Sequence, residues 1–383
     1  MMAMQFLLPT RIISGIGSVA EVGKESQLFG ARKALIVTDP GLNKTEIPLT
    51  VVKHLQNADM AVEIFSDVES DPSIATANKI AQKVKEIAAD ILVAIGGGSS
   101  IDAAKSASLL VTNGGHLKDY AGVGKVKKPV LPLIAIPTTA GTGSEVTIFA
   151  VMSDPDNNEK FTISSSLIAP ATAILDPELT IKLPATITAF TGMDALTHAV
   201  EAYTSVIAQP ATNGLALEAI KMIMESLPVA VLRGDNVKAR EDMLQASLLG
   251  GAAFNSAFLG LAHAIASPLG GHFHVPHGLA NAVILPYVME FNLPAAIDKY
   301  AAIAKALGLA ASADSPRILA EKAVAAVTQL TRDINIPQRL RDVGAQQEVL
   351  PLVARDALKS IQLKFNARLA KEDEILALLQ KAY

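Results

Sequence analysis

The chain has 383 residues, half of them hydrophobic, with 33 Lys and Arg against 37 Asp and Glu for a formal charge of −4, and no cysteine. A single domain of that length would be unusual outside barrels and large sandwiches, so two cores are the expectation. The charge balance, with no basic run beyond residues 125–128, points away from nucleic acid and anionic membranes and toward a small-molecule partner; the missing thiols exclude disulfides and thiolate ligation, leaving oxygen and nitrogen donors for any metal.

The N-terminus has no basic segment ahead of its short apolar run at Phe6, Leu7 and Leu8, so no targeting signal is read and a cytoplasmic location is expected. The first half then alternates aliphatic runs with helical periodicity. Residues 33–38 read as a strand, 47–57 as a helix, 61–65 as a strand and 74–88 as an amphipathic helix; 90–95, 101–111 and 131–136 repeat the order strand, helix, strand. This order predicts a mostly parallel sheet with crossover helices. After Leu183 strand signals stop, and Ala- and Leu-rich segments at 185–205, 211–227 and 295–307 carry helical periodicity. The expected fold class is an α/β dinucleotide-binding domain over residues 1–183 followed by an all-α metal-binding domain over 184–383. Residues 243–289 contain no charged side chain, but four His, two Asn and three Pro interrupt them, which argues against a membrane span.

Two turns of the first half carry phosphate-binding chemistry. Gly96-Gly97-Gly98-Ser99 follows one strand and opens a helix, so the backbone can approach a pyrophosphate while the helix N-terminus supplies amide donors. Thr138, Thr139, Thr142 and Ser144 present hydroxyls in a second small-residue turn after the next strand. Neither turn matches G-x-G-x-x-G. The plain alternative is that Ser99 and Asp102 form a capping box and the glycines merely turn the chain. Asp39, after the strand at 33–38, is placed to hold a ribose, or else to make a turn with Pro40 and Gly41.

In the second half, Asp194 and His198 stand four residues apart on a predicted helix and project from one face. His263 and His277 lie in the uncharged stretch, where imidazoles need partners, and the four together suit a divalent ion. His274 and His277 flank Pro276, which fits a turn better than a continuous helix.

Gly96-Gly97-Gly98-Ser99-x-x-Asp102, Thr138-Thr139-x-Gly141-Thr142-x-Ser144-Glu145, Gly192-x-Asp194-Ala195-x-x-His198, Gly260-x-x-His263 and Pro276-His277-Gly278 resemble the motifs of the iron-containing, or group III, alcohol dehydrogenases, whose fold is related to dehydroquinate synthase. The resemblance implies that Asp194, His198, His263 and His277 bind Fe2+, replaced by Zn2+ in some relatives. It implies dinucleotide contacts from Gly97, Gly98, Ser99, Thr138, Thr139, Thr142 and Lys160, with Asp102 and Ser144 in the same motifs, and a preference for NAD through Asp39. Phe149 and Phe254 correspond to substrate-pocket positions, and a homodimer is the family expectation. Three departures accompany these matches. Ser267 stands where many relatives have a histidine, so His272 or His274 is the candidate replacement for a proton relay. Ala367 replaces a proline, with Gln362 nearby at the expected pocket mouth, and Phe258 stands where glycine is common.

The function expected from all this is reversible hydride transfer between a nicotinamide and a small primary alcohol or aldehyde. The alternatives are a hydroxyacid-oxoacid transhydrogenase of the same family, and a metal- and NAD-dependent lyase of the dehydroquinate synthase type. The lyase should offer Lys and Arg to an acidic substrate, which an uncharged wall does not.

Overall fold

Apolar side chains alternating at period two, in strands buried on both faces, organise the first half of the chain. A computed structural model describes residues 5–157 and 159–383. Two compact units emerge: Leu8–Lys182, and Leu183–Tyr383 together with residues 5–7.

The first unit runs β1 (Arg11–Ser14), α1 (Val22–Leu28), β2 (Lys33–Val37), α2 (Ile47–Gln56), β3 (Ala61–Phe65), α3 (Ile74–Ile87), β4 (Ile91–Gly96), α4 (Gly98–Asn113), β5 (Gly122–Val123), β6 (Leu133–Pro137), β7 (Phe149–Asp154), β8 (Glu159–Ser164) and β9 (Thr172–Leu175). Its main sheet is parallel throughout, in the order β1-β9-β6-β4-β2-β3. Leu35, Val37, Leu92, Ala94, Leu133 and Ala135 enter one apolar core, whereas Ala34, Ile36, Ile91, Val93, Ile95, Ile134 and Ile136 enter the other. Alternation sends neighbouring residues to opposite faces, so both faces must be covered. β3 ends the sheet, and there Glu63 pairs with Lys33 and Lys83, a charged edge that discourages further strand pairing.

β2 leads through α2 to β3 on one side, while β4 leads through α4 to β6 on the other. The switch in direction falls between the adjacent strands β2 and β4. Ligands of open α/β sheets bind beyond the carboxyl ends of strands at such a point. A smaller sheet in the order β5-β8-β7 completes the unit, with β7 and β8 antiparallel. The short strands β1, β5 and β9 and the β7–β8 hairpin had no counterpart in the sequence reading.

The second unit is helical among its described residues: α5 (Ala185–Thr204), α6 (Pro210–Leu232), α7 (Val237–Ala257), α8 (Leu261–Phe273), α9 (His277–Asn292), α10 (Ile297–Ala306), α11 (Pro316–Asp333), α12 (Leu350–Ala357) and α13 (Glu372–Ala382). Residues 5–7 belong here because Leu7 donates its backbone N–H to Ser256 Oγ and accepts from Asn255 Nδ2, while Gln5 O accepts from Gln209 Nε2. The uncharged stretch forms α8, the C-terminal part of α7 and nearly all of α9, and most of its aliphatic residues are buried core. Among the described residues no single helix is long and apolar enough to cross a membrane; α7 and α8 pass such a test only as a pair bent by 103°.

Candidate nucleotide and metal sites

In the α/β unit the turns after β2, β4 and β6 converge. Asp39, directly beyond β2, accepts the backbone N–H groups of Gly41 and Leu42 through Oδ1, and its Oδ2 lies 3.6 Å from where a Cβ on Gly96 would stand. Thr138 donates its N–H to Gly96 O at 3.0 Å, joining the turns after β4 and β6. A Cβ on Gly97 would approach Thr139 Oγ1 to 3.3 Å, and one on Gly98 would strike Thr142 Cγ2 at 2.8 Å. Glycine at 98 therefore permits the close packing of two loops over the start of α4. Gly97 caps that helix without a side-chain hydrogen bond, so the capping-box alternative for Ser99 and Asp102 fails. What remains is an uncapped N-terminus of a 16-residue helix, lined by small residues and hydroxyls, which fits the phosphates of a dinucleotide.

Asp102 works beneath this surface. Its carboxylate accepts from Ser144 Oγ and from Val151 N, while the wholly buried Lys105 Nζ donates to Ser144 Oγ, Thr147 O and Phe149 O at 2.9, 3.0 and 2.7 Å. Burial brings the Lys105 ammonium down to about 8 against the pull of Asp102 and Glu145, and burial pushes the Glu145 carboxyl up to about 7. Asp102 is likewise raised by burial, opposed by Lys105 and Ser144. These groups tie the turn at 138–145 to α4 and to the start of β7.

In the helical unit, α5 supplies Asp194 and His198 on consecutive turns, α8 supplies His263, and α9 opens with His277. The chain between α8 and α9 turns because His274 adopts a left-handed conformation (φ 55°) and Pro276 precedes the new helix. Asp194, His263 and His277 each direct one donor atom to within 4.8 Å of the others. His263 Nε2 and His277 Nε2 stand 3.8 and 3.7 Å from Asp194 Oδ1, and His198 Nε2 stands 4.0 Å from Asp194 Oδ2. A tetrahedral ion about 2.1 Å from each donor would separate them by roughly 3.4 Å, close to the 3.8 and 3.7 Å of the two His–Asp194 contacts; His198, near the other Asp194 oxygen, is not among the three donors that all lie within 4.8 Å of one another. Burial works against the Asp194 carboxylate, yet His198, His277, His263 and the Asn281 amide together hold it below the usual range. Phe254 stacks on His198 at 4.5 Å and gives that ring an apolar backing.

Asn281 and Glu201 were not singled out from the sequence. Asn281 Nδ2 donates to Asp194 Oδ1 at 2.7 Å and lies 3.2 Å from both His263 Nε2 and His277 Nε2, while its buried Oδ1 has no hydrogen-bond partner. One carboxylate oxygen and two imidazole nitrogens directed at the single Asn281 amide nitrogen form an electron-rich set that suits a cation. Position offered a clue to both: Asn281 follows His277 by four residues and Glu201 follows His198 by three, helical spacings that share a face.

Other expected residues lie elsewhere. His272 pairs through Nε2 with Asp356 at 2.8 Å, and His274 is an exposed helix terminus. Neither is among the donors that converge around Asp194. Lys160, on β8, pairs with Asp71 at 2.7 Å rather than with the turns after β4 and β6. Phe258 ends α7 at φ 58°, a conformation that explains the preference for glycine there, and its ring stacks on Phe365 at 4.5 Å. Phe149 begins β7. Gln362 is held locally through Ser360. Asn366 pairs reciprocally with Asn292 and accepts from Leu261 N, so the stretch carrying Ala367 anchors α8 and α9.

A parallel nucleotide-type unit joined to a helical unit carrying a carboxylate and imidazole cluster defines a class of two-unit metal- and nucleotide-binding architectures. Comparison with known proteins specifies it. Residues 9–177 match the model for iron-containing alcohol dehydrogenase, and residues 188–383 match the C-terminal model of the Fe-containing alcohol dehydrogenase family. The chain is 41% identical to an NAD-dependent methanol dehydrogenase of Bacillus methanolicus over 98% of its own length and 99% of the relative's. It is 43% identical to a 1,3-propanediol dehydrogenase of Klebsiella pneumoniae, covering 99% and 98% of the two chains. A solved structure of 1,3-propanediol oxidoreductase superimposes with a TM-score of 0.98 at 42% identity, with both chains fully covered. The chain belongs to the iron-containing alcohol dehydrogenase family.

Proposed function

We propose that this protein is a metal-dependent NAD(H) alcohol dehydrogenase acting reversibly on a small primary alcohol or its aldehyde. The observation that carries the reading is the convergence of donors from Asp194, His263 and His277, with His198 beside Asp194; all but His277 are almost wholly buried. They would hold Fe2+, with Zn2+ as the alternative. A divalent ion there supplies Lewis acidity toward a substrate oxygen, and a nicotinamide supplies the redox chemistry. His277, with 42% of its side chain accessible, leaves the open side of the donor set, whereas Phe254 and the apolar segments of α7 and α8 exclude water from the closed side. Gly97, Gly98, Ser99, Thr138, Thr139 and Thr142 would seat the dinucleotide phosphates at the start of α4, and Asp39 would accept from the ribose. The names of the relatives, methanol and 1,3-propanediol dehydrogenases, support a short-chain primary alcohol.

A cytoplasmic location, expected from the sequence, and a homodimer, expected from the family resemblance, complete the reading; fractionation and light scattering test them. The activity itself is tested by an alcohol and aldehyde panel with anaerobically Fe2+-loaded protein, following NADH. Hydride transfer with several small primary alcohols is expected, and its absence across the panel, with metal content verified, would refute the proposal.

A further inference from the structure

Glu201 is almost wholly buried on α5, seven residues after Asp194 and three after His198, on the same face of the helix. Both oxygens of its carboxylate are engaged. Oε2 accepts from Gly260 N at 2.9 Å and contacts His263 Nδ1 at 2.6 Å, while Oε1 accepts from Ala262 N at 2.6 Å. Both oxygens already accept backbone N–H groups, so the carboxylate is arranged as an acceptor and the proton of that short contact is assigned to Nδ1. A neutral ring then has its lone pair on Nε2. The second contact of the ring agrees: Asn281 Nδ2, a donor, lies 3.2 Å from Nε2, and Nε2 faces Asp194 Oδ1 at 3.8 Å.

We infer that Glu201 is a positioning residue for metal capture, holding His263 in the tautomer and ring orientation that leave Nε2 free to bind an ion. The inference rests on reading Asp194, His198, His263 and His277 as the metal ligands. Carboxylates behind ligating histidines fix the tautomer and raise ligand basicity, and their loss typically weakens metal binding about 10- to 100-fold. The simpler role is that of a helix anchor, because Gly260 and Ala262 lie at the start of α8 and their N–H groups need acceptors there. Two backbone bonds would satisfy that role without the imidazole. Glutamine separates the two: its amide cannot accept from both sides, so one backbone N–H or the Nδ1 proton must face an NH2 group.

The test uses full-length apoprotein labelled with 15N-histidine, and Co2+ as the metal probe. Long-range 1H–15N correlation should show wild-type His263 protonated at Nδ1 and bare at Nε2. Glu201→Gln should admit the opposite tautomer and weaken Co2+ binding about 10- to 100-fold by competition titration. His263→Ala is the reference and should lose Co2+ more severely. A wild-type His263 protonated at Nε2 would overturn the inference without any variant. Glu201→Gln with unchanged tautomer and Co2+ affinity, even at a lowered melting temperature, would reduce Glu201 to a helix anchor. Wild-type affinity in His263→Ala would instead remove the metal-site reading beneath it.

Discussion

Gly278 tests how tightly the helical unit must pack for its donors to converge. The residue follows His277 at the start of α9, and a Cβ there would stand 2.6 Å from Phe190 O, 3.0 Å from Phe190 C and 3.5 Å from Asp194 Cβ. The first two are backbone atoms of α5 and cannot rotate away. Ordinary contact begins near 3.4 Å, so Gly278→Ala must push α9 from α5 by about 0.8 Å. A bound ion keeps its ligand bond lengths within about 0.2 Å, and α5 and α9 carry Asp194 and His277 respectively, so a shift of this size must be undone for both to bind. Overpacking of this kind costs about 1–3 kcal/mol of stability. Co2+ affinity should fall roughly tenfold or more, the scale on which disturbed ligand support weakens such sites. Competition titration gives the affinity and urea unfolding of the apoprotein gives the stability. The control is Gly271→Ala on α8, where no atom lies within 4 Å of the added Cβ; it should be neutral or stabilise by about 0.5–1 kcal/mol. Wild-type Co2+ affinity in Gly278→Ala would show that the donor set does not depend on this helix contact.

His263→Ala and His277→Ala should each lose most bound metal and nearly all turnover with circular dichroism unchanged, whereas His54→Ala, on α2, should match wild type in metal content. Asp39→Gly should weaken NAD use and improve NADP use by removing a carboxylate that repels a 2′-phosphate; steady-state kcat/KM with both cofactors reads this out, and unchanged selectivity would remove Asp39 from the site. Because the Glu145 carboxyl is held up to about 7 against 4.5 when unfolded, its contribution to stability is present below 4.5 and is lost as pH rises toward 7. Lys105, depressed to about 8 from 10.5, disfavours the fold at low pH and recovers as pH rises from 8 toward 10.5. Urea unfolding across pH 4.5–10.5 should therefore show their joint contribution least favourable between 7 and 8, and Glu145→Gln should flatten the fall on the acid side.

The parts of the fold legible in the sequence were those with strong periodicity. β3 spans Ala61–Phe65 and α5 spans Ala185–Thr204, close to their expected bounds, because each carries an uninterrupted pattern. β1, of four residues, and β5, of two, are too short to show one, and the β7–β8 hairpin mixes buried and exposed positions with charged residues near its turn. α4 begins at Gly98, three residues before the expected start, because glycines read as a loop even where they form a helix N-terminus. Asp194, His263 and His277, with His198 beside Asp194, were legible because a carboxylate and an imidazole one helical turn apart, and imidazoles in an uncharged stretch, are conspicuous in sequence. Glu201 and Asn281 are not conspicuous, since their significance is the direction of a hydrogen bond. For His272 the same logic runs in reverse: its chemistry was suggestive, but Asp356 comes from a helix 84 residues away that no local pattern could bring to it.

The membership of residues 5–7 in the helical unit has a consequence for biosynthesis. The α/β unit, residues 8–182, is in effect inserted near the start of the helical one. Domains generally fold as units during synthesis, N-terminal first, so the inserted unit has its whole sequence once residue 182 clears the ribosome. Gln5 and Leu7 are made earlier but must wait: their partners are Gln209, Asn255 and Ser256, as much as 249 positions later in the chain. The first described residues of the protein are therefore among the last to find their partners, a closing stitch made only after α6 and α7 have emerged.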